Sequence, residues 1–96
     1  MKNADSLFLR AYNDYAKVKE TGTPNEIALY KGRIEALFDV EYEISEASKK
    51  IFTEKIQEAL NGLNLAEIQE DSANIAYFRG RKDALHDLVE FWDIEL

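Results

Sequence analysis

The chain has 96 residues, 46% of them apolar and 32% charged, with a net charge of −7, four Gly, one Pro and no Cys. That length supports one domain around a single core, and so little Gly and Pro argues against a fold of strands and loops. The lack of Cys excludes disulfides, thiolate zinc sites and Cys nucleophiles, and an acidic excess in both halves (six basic against nine acidic residues to position 48, six against ten after it) excludes ordinary phosphate-backbone binding to nucleic acid.

A first helix is expected from about Ala4 to Glu20, where Leu7, Phe8, Ala11, Tyr12, Tyr15 and Val18 recur at spacings of three and four on one face. Gly22 supplies a stop. Thr23-Pro24-Asn25-Glu26 then restarts the chain, with Thr as N-cap, Pro at the first helical position and Glu placed to bond back to the cap. The second helix should run from Pro24 to roughly Ile44. Ser45 and Ser48 are candidate caps for a third helix, and one unbroken helix from Pro24 to Asn61 is the alternative. The third helix, with Ile51, Phe52, Ile56, Ala59 and Leu60, is expected to stop at Asn61-Gly62. Asn64-Leu65-Ala66-Glu67 spells another capping box, so a short helix should precede the last one, which begins at Asp71 or Ser72 and reaches about Asp93.

The phrase Ala28-Leu29-Tyr30-Lys31-Gly32-Arg33-Ile34-Glu35-Ala36-Leu37-Phe38-Asp39 returns as Ala76-Tyr77-Phe78-Arg79-Gly80-Arg81-Lys82-Asp83-Ala84-Leu85-His86-Asp87, an offset of 48 with six identities in twelve positions. Internal repetition at half the chain length predicts repeat units 1–48 and 49–96 within a single domain, 1–96. The expected fold is all-α: a four-helix bundle of two tandem helical hairpins. Its seams are Ile27, Tyr30, Ile34, Leu37, Glu41 and Ile44 in the first copy, and Ile75, Phe78, Lys82, Leu85, Val89 and Trp92 in the second. Bulky members such as Ile27, Tyr30, Leu37, Ile75, Phe78, Leu85 and Trp92 should be buried.

Each copy carries Ala-x-x-x-Gly-x-x-x-Ala, which places Ala28, Gly32 and Ala36, and Ala76, Gly80 and Ala84, on one helix face without bulky side chains. Gly inside a helix costs about 1 kcal/mol relative to Ala, so its double use points to a close backbone approach. That approach is either between the second and last helices of one chain or between this chain and a partner helix or second copy. On propensity alone, Gly80→Ala should be neutral or stabilising and Gly80→Leu harmful.

Arg33 and Arg81 directly follow the glycines. They are either margin residues beside Lys31–Glu35 and Arg79–Asp83 pairs, or a symmetric pair of forks for carboxylates or phosphates. Asp83-x-x-His86 has the spacing of a carboxylate–histidine metal pair, but the first copy reads Glu35-x-x-Phe38 and His86 is the only His. No metal site, cofactor or catalytic set is therefore assigned. The carboxylates Glu41, Glu43, Glu46, Asp83, Asp87 and Glu90 read as solvated helix faces rather than a mimic of nucleic-acid phosphates. At the C-terminus Trp92 belongs to the core, while Phe91 and Ile94 either meet a partner or pack within the monomer.

The phrase [YF]-[KR]-G-R-x-[DE]-A-L, spanning residues 28–39 and 76–87, resembles segments of small helical accessory proteins of bacteriophages and mobile elements of Gram-positive bacteria. That resemblance implies binding to, and inhibition of, a host or defence protein. The expectation is a non-enzymatic protein-interaction module for a partner with a basic surface, with a homodimer also in view and no nucleic-acid contact. Its rim is placed at Glu41, Glu43, Asp87 and Glu90 with Phe91 as anchor, or around Arg33 and Arg81. The alternative is a homo-oligomeric helical module binding a small anionic ligand through Arg33 and Arg81. No apolar leader or membrane-length run is visible, so a soluble cytoplasmic protein is expected.

Overall fold

A computed structural model describes residues 5–41 and 48–96. Among these the chain is all-helical: α1 (Asp5–Thr21), α2 (Pro24–Glu41), α3 (Ser48–Ile68) and α4 (Ser72–Phe91). None of these helices is long and apolar enough to cross a membrane. The choice between one helix and two over positions 24–61 turns on residues 42–47, which lie outside the described residues along with Glu43 and Ile44.

α1 closes on Gly22, whose N–H donates to the Val18 carbonyl at 2.7 Å. The capping box then forms as its chemistry dictates. Glu26 N–H donates to Thr23 Oγ1 at 3.2 Å, and Thr23 N–H donates to Glu26 Oε1 at 3.1 Å. Two backbone donors at the head of α2 are thereby satisfied, and α1 turns into α2 through Gly22 and Thr23 alone.

The expected stop at Asn61-Gly62 and the short helix after it are both overturned: α3 continues to Ile68. Ala59, Leu63 and Ala66 are all buried, so the apolar face runs through the glycine without a break. The Phe78 ring lies over Gly62, where a β-carbon would come within 2.4–2.6 Å of its edge. Tertiary packing thus outweighs the local preference of Asn-Gly to end a helix.

α3 ends instead at Glu70, which takes φ of 55°. Glu70 N–H reaches the Glu67 carbonyl at 3.1 Å and Asp71 N–H reaches Ala66 at 3.0 Å, the paired closure of a Schellman motif. α4 ends the same way, with Asp93 at φ 52°, Asp93 N–H on Glu90 and Ile94 N–H on Val89. Ile94 and Val89 both pack against the core, the apolar contact that accompanies such an end. Asp71 caps the start of α4, its Oδ1 accepting from Asn74 N–H at 3.2 Å.

α2 and α4 pack most extensively on each other, α1 lies against α2, and α3 against α4. The first turns of α2 and α4 share one cleft, Asn25 and Glu26 beside Ser72 and Ala76. Further along, Leu37 meets Ala84 and Leu88, so the two helices run in the same general direction. The core combines Ile34, Leu37 and Val40 of α2 with Ala84, Leu85 and Leu88 of α4, Phe52 and Ile56 of α3, and Ala11 of α1. Each large side chain fully buried here contributes roughly 1.5–3 kcal/mol.

The core is rotated from the expected seam. Leu37 and Leu85 are buried, but Ile27, Tyr30, Ile75, Phe78 and Trp92 are only half-buried, and Tyr12 of α1 is exposed. The deepest stripe follows Gly32, Ala36 and Val40 against Gly80, Ala84 and Leu88. At a close crossing the smallest residues face the partner helix, which pushes bulky neighbours to the flanks.

Candidate functional site

The centre of the molecule is the crossing of α2 over α4. A β-carbon built on Gly32 would stand 2.0 Å from the Tyr77 carbonyl oxygen, and one on Gly80 would stand 2.0 Å from the Leu29 carbonyl oxygen. Each glycine therefore rests on the other helix's backbone, beside the amide of Arg81 and of Arg33 respectively. The two contacts exchange under the 48-residue offset, which maps Leu29 onto Tyr77 and Gly32 onto Gly80. The small-residue strips therefore pack within the chain. The expectation that Gly80→Ala is harmless falls with that finding, since the atom it would meet is backbone oxygen.

Two ion pairs bracket the crossing. Arg33 Nη2 donates to Asp87 Oδ2 at 2.6 Å, and Arg81 Nη2 donates to Asp39 Oδ2. These too exchange under the offset. The guanidinium groups are forks for carboxylates, and the carboxylates belong to the chain itself. The expected Lys31–Glu35 and Arg79–Asp83 pairs give way: Glu35 turns to the Tyr77 hydroxyl at 3.1 Å, and Asp83 to Lys82 at 3.9 Å.

The brackets differ in their surroundings. Arg81 is 15% exposed in its side chain against 29% for Arg33. Arg81 Nη1 also donates to the Tyr77 hydroxyl at 3.1 Å, and its guanidinium carbon lies 5.7 Å from that ring's centre. Tyr77 packs edge-on against Phe78, with centroids 5.1 Å apart. Burial pushes the Tyr77 phenol above its ordinary range, a rise that Arg81 only partly offsets. For Arg81, burial pulls the other way, but the hydrogen bond to Asp39 and the contact with Tyr77 outweigh it and hold the group above its usual value. Glu35 Oε2 is buried and accepts no hydrogen bond from the described residues.

Around Arg33 there is open space instead. A cavity of about 440 Å³ lies between α1, α2 and α4. It is lined by the charged groups of Arg10 and Asp14 of α1, Arg33 of α2 and Asp87 of α4, by Tyr30 of α2, and by the buried Leu37, Ala84 and Leu88. On the other flank of α1 a second cleft, about 260 Å³, lies among Phe8, Leu9, Tyr12, Ile34 and Phe38. Leu9, Tyr12 and Phe38 around it are 63%, 59% and 47% exposed.

The remaining sequence candidates are scattered. Glu90 is exposed near the end of α4, with His86 beside it in a shallow depression. Phe91 is half-buried, packed on the core and edge-on to Trp92 at 6.1 Å. The side chain of Glu41 lies outside the described residues, as does Glu43. Sequence reading passed over Asp39 and the exposed face of Leu9, Tyr12 and Phe38. Asp39 carried a usable signal: Arg33–Asp39 and Arg81–Asp87 repeat the same spacing of six in both copies. Comparison with known protein families, curated proteins and solved structures gave no match.

Proposed function

We propose that this protein is a non-catalytic interaction module, a duplicated pair of helical hairpins that docks a partner protein on its α1–α2 face. The observation carrying this reading is the clustering of Leu9, Tyr12 and Phe38 around one cleft, each about half exposed or more. Single exposed apolar residues are ordinary, but a contiguous group with two aromatic members is the composition of an interface hot spot. The net charge of −7 favours a partner with a basic surface, because complementary charge speeds encounter and suppresses wrong pairings. Asp87 and Glu90 belong to that acidic surface. The repeated phrase tilts the reading toward a regulator or inhibitor of a host or defence protein, of the kind phages and mobile elements carry, acting in the cytoplasm.

The anionic-ligand reading draws on the nearness of Arg33 and Arg81 to the centre of the fold. Both guanidinium groups are already held by Asp87 and Asp39, so an anion would have to displace a carboxylate from each.

Affinity capture from the native host, run in parallel with Leu9→Asp and Phe38→Asp variants, tests the proposal. A stoichiometric protein recovered by wild type and lost from both folded variants is the expected result. Equal recovery by the variants would move the interface off this face. Sedimentation analysis of the purified chain identifies a second copy as the occupant.

A further inference from the structure

We infer that the cavity beside Arg33 is a receptor for a tyrosine side chain supplied by the partner. The inference rests on the interaction reading for the source of that side chain, but its geometry comes from the molecule's own second half. The 48-residue offset maps Arg33 onto Arg81, Asp87 onto Asp39, Leu29 onto Tyr77 and Tyr30 onto Phe78. Beside Arg81 the site is filled from within: the Tyr77 hydroxyl donates to Glu35 and accepts from Arg81, and Phe78 covers Gly62. Beside Arg33 the position of Tyr77 is held by Leu29, which has neither the ring nor the hydroxyl, Tyr30 lines the cavity in the place of Phe78, and Asp14 stands where the second copy has Gly62. About 440 Å³ is left open.

The rim supplies what a phenol needs. Arg33 and Arg10 are donors for its oxygen, and Asp87 and Asp14 are acceptors for its proton. Arg10 and Asp14 form no ion pair among the described residues, so neither must surrender a partner. Leu37, Ala84 and Leu88 make an apolar floor for the ring. A ring with a hydroxyl satisfies floor and rim together. A phenylalanine ring reaches the floor but offers no bond to Arg10 or Asp14, while Arg33 and Asp87 keep each other.

Titration of isotope-labelled protein with N-acetyl-tyrosinamide and with N-acetyl-phenylalaninamide, followed by amide chemical shifts, tests this. The expected result is saturable shifts centred on Arg33, Ala84 and Leu88, with roughly tenfold weaker binding of the phenylalanine compound, the usual worth of a hydrogen bond to a charged group. Leu29→Tyr should fill the cavity from within and abolish the shifts. Tyr77→Leu should open the matching site and add a second set of shifts around Arg81. Equal binding of the two compounds, no saturable shifts in wild type, or shifts centred elsewhere would overturn the proposal. The wild-type titration decides even where a variant misfolds. Failure here with retained loss of the partner in Leu9→Asp would remove the tyrosine receptor and leave the interaction module standing.

Discussion

Gly80 rests on the Leu29 carbonyl of the neighbouring helix, with no room between them for a β-carbon. Alanine there must push α2 and α4 apart along the whole crossing. Gly80→Ala is therefore expected to destabilise by about 2–3 kcal/mol, despite the ~1 kcal/mol it gains in helix propensity. Gly32→Ala should behave alike, and the double variant should cost less than the sum, because the first substitution already opens the space the second needs. Gly62→Ala should stay within about 1 kcal/mol, since the atoms it meets belong to the Phe78 ring, which can swing aside. Urea denaturation of the four variants checks all of this.

The two brackets should differ in worth. Arg33→Ala removes a more exposed pair and should cost about 1 kcal/mol or less. Arg81→Ala also takes a donor from the Tyr77 hydroxyl, which keeps only Glu35, and leaves Asp39 unpaired, so it should cost about 2–3 kcal/mol. Arg81→Lys should recover little, because one ammonium cannot serve Asp39 and Tyr77 with the geometry of a fork. Thermal denaturation at low and high salt separates the two: only the Arg33 pair should weaken markedly with salt.

Tyr77 makes stability sensitive to alkali. The folded chain keeps a proton that the unfolded chain gives up near pH 10, so the contribution is complete below about pH 10 and is lost as the pH rises through the higher folded value. Denaturant midpoints measured between pH 8 and 11 should fall more steeply for wild type than for Tyr77→Phe. The variant should start lower at pH 8 by about 1 kcal/mol, the hydrogen bonds it forgoes.

Glu70 ends α3 in a left-handed conformation that costs a side-chain-bearing residue about 1–2 kcal/mol. Glu70→Gly relieves that strain and gives back part of it as lost chain entropy. A net gain of about 0.5–1 kcal/mol is expected, seen as a higher melting temperature. Asp93→Gly at the end of α4 should act in the same sense.

What could be read from the sequence was chemistry confined to a few neighbouring residues. Thr23 and Glu26 make their capping box without help from the rest of the chain, and Gly32 and Gly80 announce a close approach by their cost alone. Asn61-Gly62 misled because Phe78, sixteen positions on, lies over the glycine and the buried face continues past it. The end of α3 at Glu70 was illegible because an acidic residue stands where glycine is usual, whereas the end of α4 falls close to Asp93 as expected. The Arg33–Asp87 and Arg81–Asp39 pairs bridge helices, so neither partner reveals the other by local spacing. Phe38 registered only as a mismatch with His86. Its exposure follows from the rotation of the core toward the small strip, which no periodicity at the level of whole helices resolves.

The crossing also has a consequence for how copies of the chain meet. Each half offers a glycine and receives one, so α2 of one molecule and α4 of another satisfy every demand that the two helices of one molecule do. Covalent connection alone favours the intramolecular version, by raising the local concentration of the partner helix to roughly the millimolar range. An exchange of halves between two chains would rebuild both crossings from the same contacts. Such a dimer would share its helix content and ion pairs with the monomer, and its doubled mass would be what gives it away.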